Sequence, residues 1–296
     1  MDLTKGCSAR TRIGFLYAIF ALESLPGRGR LDNGAATDGT IQKDLADRLI
    51  AALKQDGFVL YAQPILALVP DSKKPPFQET LTRFREEEEK LLPPGTFFPL
   101  LEEYGLLPYL DRWVVGRLAG WIKSRRAAKS DWKTPACSIS LSADTLYDGN
   151  FCKFVAKHIE NAGLPQGIFH FETSWDTALQ HTKPLAEVSA ELRRAGCRFI
   201  VSGFDGSEES FGMLSKLKPE LVKLSYGVVK DADRALAASE RLERVNTRCH
   251  QVGVRTIAEY VESKDLLEQL RALEVDYAQG LVISPPMRIK LEATAD

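Results

Sequence analysis

The chain has 296 residues, 44% of them hydrophobic and 27% charged, with a formal net charge of −1. Those values fit a soluble globular protein with room for one barrel-sized domain or two smaller ones. They argue against a basic surface for a nucleic-acid polymer and against an electrostatic membrane anchor, so an anionic ligand would have to be held by a few placed groups. The five cysteines (Cys7, Cys137, Cys152, Cys197 and Cys249) are scattered, odd in number and form no C-x-x-C pair. A disulfide framework or structural zinc is therefore not expected, and a reducing cytoplasm is. Cys137 and Cys197 lie beside strand-like runs and read as small buried hydrophobes.

In chain order, the apolar run 13-IGFLYAIFAL-22 follows basic residues but is too short to span a bilayer and has no A-x-A cleavage pattern after it. It reads as part of an N-terminal extension. The Gly- and Asp-rich 27–40 stretch reads as a linker, so the domain division expected is 1–40 extension, 41–290 main domain and 291–296 tail. Residues 41–56 carry apolar positions at helical spacing and Gly57 ends them. The run 58-FVLYAQPILAL-68 is strand-like, with Pro64 suggesting an edge or a bulge. Two helices are expected within 97–105 and 109–123, and the Glu run from 86 reads as a solvated loop or helix face. From residue 136 short apolar strands (136–142, 167–173, 197–204, 220–225, 253–260, 275–284) alternate with helical stretches. That alternation predicts a parallel sheet covered on both faces, closed as a (β/α)₈ barrel in preference to a doubly wound sheet. No Gly-rich dinucleotide loop or P-loop is present in the sequence.

In barrel enzymes the site is built at the C-terminal ends of the strands. Those ends here offer Glu79, Ser140 with Ser142, Glu172, Ser202 with Asp205, Lys223, Glu259 and Gln279. A Glu at a single strand end, taken alone, reads equally well as a cap or a surface group. Three carboxylates, a lysine and an amide converging on one mouth point to an oxygen-ligand metal site or a phosphate site.

The ordered set 63-QPI-65, 79-ETLTR-83, 97-FFPLLEEYGLLPYLDRWV-114, 140-SLS-142, 171-FETS-174, 223-KLS-225, 258-AEYVE-262 and 279-QG-280 resembles the EAL domain, a family of cyclic di-GMP phosphodiesterases and their non-catalytic relatives. The resemblance covers roughly 41–290 and implies a modified TIM barrel. It implies Glu79, Glu172 and Glu259 as metal ligands and Lys223 as the lysine that positions the attacking water. It also implies Arg83 as a phosphate clamp, Gln63 and Leu81 as groove-lining residues, and Gln279 as a contact from the last strand. Departures accompany these matches. Ser140 stands where active members carry Asn, Ser202 and Gly203 where they carry two aspartates, and Ser225 where they carry Asp. Trp175 replaces a second Glu, and Tyr260 replaces a Gly.

Losing three strand-end aspartates leaves too few hard oxygen ligands for two divalent ions. The expectation is a degenerate EAL-type barrel that binds cyclic di-GMP as a receptor, needs no cofactor and pairs as a homodimer or with a protein partner. Two alternatives stand beside it. One is a nucleotide-independent interaction module whose groove Trp175 and Tyr260 would fill. The other is a weak Mg- or Mn-dependent phosphodiesterase with Asp205 recruited as a ligand.

Overall fold

The computed structural model describes residues 47–55, 57–69, 75–85, 95 and 97–290. The readings of the apolar run 13–22, the linker 27–40, Cys7, the Glu run from 86 to 89 and the tail 291–296 fall outside the described residues.

Eight strands close a barrel: β1 (Phe58–Ala67), β2 (Phe77–Phe84), β3 (Ala136–Ser140), β4 (Phe169–Ser174), β5 (Arg198–Phe204), β6 (Leu221–Leu224), β7 (Arg255–Ala258) and β8 (Tyr277–Ala278). β2 to β8 run parallel in chain order, and β1 closes the ring antiparallel to both β2 and β8. The expected barrel is therefore present, with one strand reversed relative to an all-parallel sheet. A short ninth strand, β9 (Met287–Arg288), pairs with the first half of β1. Pro64 marks neither an edge nor a bulge. It pairs in register with Gln78, and on its other side it falls between the stretch of β1 bound to β9 and the stretch bound to β8. A residue with no N–H costs little where the ladder changes partner.

Period-two alternation sorts the strand residues between two cores. Ile65, Phe77, Ile200, Leu221, Ile257 and Tyr277 pack together inside the barrel. Their neighbours of opposite parity, such as Phe171, Val201, Val222, Leu224 and Ala258, join a larger cluster with the surrounding helices. Burying one such side chain fully contributes about 1.5–3 kcal/mol. The inward position two residues on from each inner-core residue is polar on most strands, so a polar layer lies on an apolar plug.

Helices cover the outside. Among the described residues the longest is Leu107–Ala128, which buries Leu110, Val114, Val115, Leu118 and Ile122 at helical spacing. Helices begin where serines at strand or loop ends cap them: Ser174, Ser207 and Ser263 each accept from the backbone N–H three residues on. The helical stretch expected over 177–195 is two helices, Trp175–Gln180 and Thr182–Arg194, broken at His181. Among the described residues no helix is long and apolar enough to cross a membrane. Cys137, Cys152, Cys197 and Cys249 are buried free thiols, and burial pushes each pKa up to about 12.

Candidate functional site

The polar layer centres on Lys223, the third residue of β6, whose neighbours Val222 and Leu224 turn outward into the helix-facing core. Its ammonium is out of contact with solvent and lies 2.9 Å from Glu172 Oε2, 3.0 Å from Glu79 Oε2 and 3.3 Å from Glu259 Oε1. Burial alone would lower the lysine pKa, but the three surrounding carboxylates outweigh it and hold the ammonium charged well above its ordinary range. Burial raises the Glu259 pKa to about 7, against the pull of Lys223 and with the added push of the Glu172 and Glu79 charges.

Two of the three carboxylates have local support of their own. Ser138 Oγ on β3 donates to Glu172 Oε2 at 2.8 Å. Gln279, one residue past β8, donates from Nε2 to Glu79 Oε2 at 2.6 Å and to Gln63 Oε1 at 3.0 Å. Gln63 and Glu79 are cross-strand partners in the β1–β2 ladder, and Gln63 Nε2 is held in turn by the Ser284 carbonyl at 3.1 Å. Gly280 makes this corner possible. A Cβ there would sit 2.1 Å from the Val261 carbonyl oxygen, so only glycine lets the β8 end close on the loop after β7.

Six of the residues singled out in the sequence are therefore brought together: Gln63, Glu79, Glu172, Lys223, Glu259 and Gln279. Leu81 and Arg83 lie farther along. Glu79 is the third residue of β2 and not its end, because β2 continues to Phe84 as a ribbon with β1. Glu79, Leu81 and Arg83 share one face of that ribbon, which puts Arg83 about 13 Å along the strand from Glu79. Arg83 is half-buried, donates to the Thr82 carbonyl at 3.1 Å and places its guanidinium 5.9 Å from the centre of the Tyr61 ring.

The remaining strand-end candidates stand outside this set of contacts. Ser140 is exposed at the end of β3. Ser142 donates to the buried Asp111 at 2.7 Å, and Thr145 Oγ1 binds the same carboxylate oxygen. Ser202 donates to the Thr173 carbonyl at 3.3 Å. Gly203, at φ +77°, makes the register shift between Ser202 and Phe204 that carries the chain out of β5. Asp205, exposed on the next loop, accepts from the Ser207 N–H at 2.9 Å and from the Ser210 hydroxyl at the start of helix Glu208–Leu217. Partial burial raises its pKa, but these hydrogen bonds prevail and hold the carboxyl below its usual range.

The two bulky replacements differ in their packing. Trp175 is buried, its ring set edge-on to Phe204 at 6.1 Å, so it belongs to the wall and does not fill the mouth. Tyr260, beside Glu259, is half-buried and edge-on to Tyr226 at 5.6 Å.

Sequence reasoning missed Ser138, Asp111 and Tyr226. Ser138 had a signal, since it lies two residues from Ser140 on the same strand face. Asp111 is a carboxylate inside an otherwise apolar helix face, which is a mark of a buried partner.

Comparison with known proteins agrees with this geometry. The family model described as "EAL domain" matches residues 46–286. The cyclic di-GMP phosphodiesterases PdeB of Shewanella oneidensis and PdeF of Escherichia coli are 27% and 26% identical to the chain over 81% and 83% of its length. The chain spans only 28% and 33% of those two relatives. Among solved structures, the FimX EAL domain of Xanthomonas citri in complex with c-diGMP superposes with a TM-score of 0.79 at 23% identity, covering 86% of this chain and 97% of that one. A FimX EAL domain structure superposes at 0.75 with 25% identity, covering 82% and 96%. The chain belongs to the EAL domain family.

Proposed function

We propose that this chain is a non-catalytic EAL domain that binds cyclic di-GMP as a receptor in the cytoplasm, needs no metal cofactor, and works as a homodimer or with a protein partner. The observation that carries the reading is the engagement of all three glutamates by one buried ammonium, at 2.9–3.3 Å. Hydrolysing a phosphodiester with two metals needs divalent ions about 3.5–4 Å apart, each with hard oxygen ligands. Magnesium further asks for near-octahedral oxygen coordination. Among the described residues, no three His, Cys, Asp or Glu side chains are grouped so as to hold a metal ion. Ser140 offers only a hydroxyl, Ser202 is bound to a strand carbonyl, and Ser225 is a hydroxyl where a carboxylate is needed. The residues present do not fit a two-ion centre.

Nucleotide binding does not share that requirement. Arg83 would clamp a phosphate by a charge-assisted contact, and Gln63, Glu79, Leu81 and Gln279 would line the groove. The likeness of the fold to FimX EAL domains, two of them described as complexes with c-di-GMP, supports this half of the reading.

The named phosphodiesterases among the relatives favour a second reading, weak Mg- or Mn-dependent hydrolysis with Asp205 as a replacement ligand. The hydrogen bonds that commit Asp205 to a helix start speak against it. Incubating the full chain with cyclic di-GMP and Mg²⁺ or Mn²⁺, then separating the products, tests the choice. No linear dinucleotide is expected. Metal-dependent conversion that Glu79→Ala abolishes would establish the second reading instead.

A further inference from the structure

Tyr260 follows Glu259 directly and holds a left-handed backbone at φ +61°, a conformation that glycine adopts freely and a bulky side chain does not. Strain of this kind persists where surrounding structure or a ligand sustains it. Tyr260 is partly buried, less completely than aromatic side chains of the core such as Phe171 and Phe204. It meets the Tyr226 ring edge-on, at 5.6 Å and 86°. Tyr226 is three residues past Lys223 and is itself 49% exposed. The Lys230 ammonium stands 5.6 Å from the centre of the Tyr226 ring. Two neighbouring strand ends thus present a braced, partly buried aromatic ring and a cation beside the polar cluster.

We propose that Tyr260 is a stacking platform for one guanine base of cyclic di-GMP, with Tyr226 as the residue that positions its ring and Lys230 as a donor to the guanine O6 and N7 edge. The proposal rests on the receptor reading above and deepens it, because it names the residues that choose the base. Aromatic side chains stack any base through its π-face, so the platform supplies affinity without selectivity. A lysine directed at O6 and N7 favours guanine over adenine, whose amino group at the corresponding edge is a donor.

The test is a calorimetric titration of the full chain and of Tyr260→Gly, Tyr226→Ala and Lys230→Met, each with cyclic di-GMP and with cyclic di-AMP, alongside their melting temperatures. Tyr260→Gly is expected to melt no lower than the wild type, since glycine suits the backbone, and to bind cyclic di-GMP about tenfold or more weakly. Tyr226→Ala is expected to weaken binding in the same direction. Lys230→Met is expected to narrow the preference for cyclic di-GMP over cyclic di-AMP. A Tyr260→Gly variant that binds as tightly as a binding wild type, or more tightly, overturns the platform and leaves the receptor reading standing. Failure of wild type and variants alike to bind cyclic di-GMP overturns the receptor reading, and the platform with it.

Discussion

The Lys223 ammonium and the Glu172 carboxylate lie 2.9 Å apart in the barrel interior, and their neighbours Glu79 and Glu259 complete a shell of negative charge around a single cation. Removing one partner from a buried ion cluster leaves the rest uncompensated, which typically costs about 3–5 kcal/mol. Lys223→Met is therefore expected to lower the unfolding free energy by that order in chemical denaturation. The loss should shrink between pH 7 and pH 5, because protons then neutralise carboxylates that face one another. A variant as stable as the wild type at pH 7 would mean that the three glutamates do not depend on the ammonium.

Arg83 stands apart from that cluster, farther along the β1–β2 ribbon, so its role can be tested separately. Arg83→Ala is expected to weaken cyclic di-GMP binding by about ten- to a hundredfold, the scale of a lost hydrogen bond to a charged group. Its melting temperature should change little. Unchanged affinity would remove Arg83 from the ligand site, and a protein partner still captured by the variant would favour a nucleotide-independent interaction module.

His170, its ring tilted against Phe77 with the centroids 4.7 Å apart in the lower barrel, is held neutral. Burial pulls its pKa down to about 3, the nearby Arg198 charge adds to that, and the Gly167 carbonyl opposes it. In the unfolded chain the same group titrates near 6.5. Between those values the unfolded state binds the extra proton, so the contribution is complete above about pH 6.5 and is lost progressively as pH falls toward 3. His170→Phe should flatten the decline in unfolding midpoint between pH 6.5 and pH 4.5. Parallel pH profiles for variant and wild type would contradict this.

Gly280 is expected to tolerate nothing larger. An added methyl would press on the Val261 backbone, which cannot yield as a flexible side chain would. Gly280→Ala should lower the melting temperature by several degrees and weaken ligand binding through displacement of Gln279. A variant with wild-type melting and affinity would show that this corner can open without cost.

Much of this was legible in the sequence because strand parity is a local property. In 221-LVKL-224 the alternation alone sets Lys223 on the face opposite Val222 and Leu224, and the same rule groups Glu79 with Leu81 and Arg83. The reversal of β1 was not legible, since an antiparallel strand buried on both faces has the same apolar run as a parallel one. For the same reason Pro64 read as an edge although it lies inside the closed ring. That Glu79, Glu172, Glu259 and Lys223 share one mouth followed from their places at strand ends, but not that all three carboxylates close on the one ammonium. Sequence order names the strand ends, but the shear of the closed barrel decides which ends meet at one height. Asp205 illustrates the limit most sharply: two residues of spacing separate a ligand from a side chain that braces a helix start, and only its bonds to Ser207 and Ser210 distinguish them.

The central claim, a nucleotide receptor that works without metal, is tested most directly by titrating the full chain with cyclic di-GMP in the presence of EDTA. A saturable one-site isotherm is predicted, unchanged when Mg²⁺ replaces the chelator and with the nucleotide recovered intact. No binding at high micromolar ligand, or binding that appears only with divalent metal, would contradict the account.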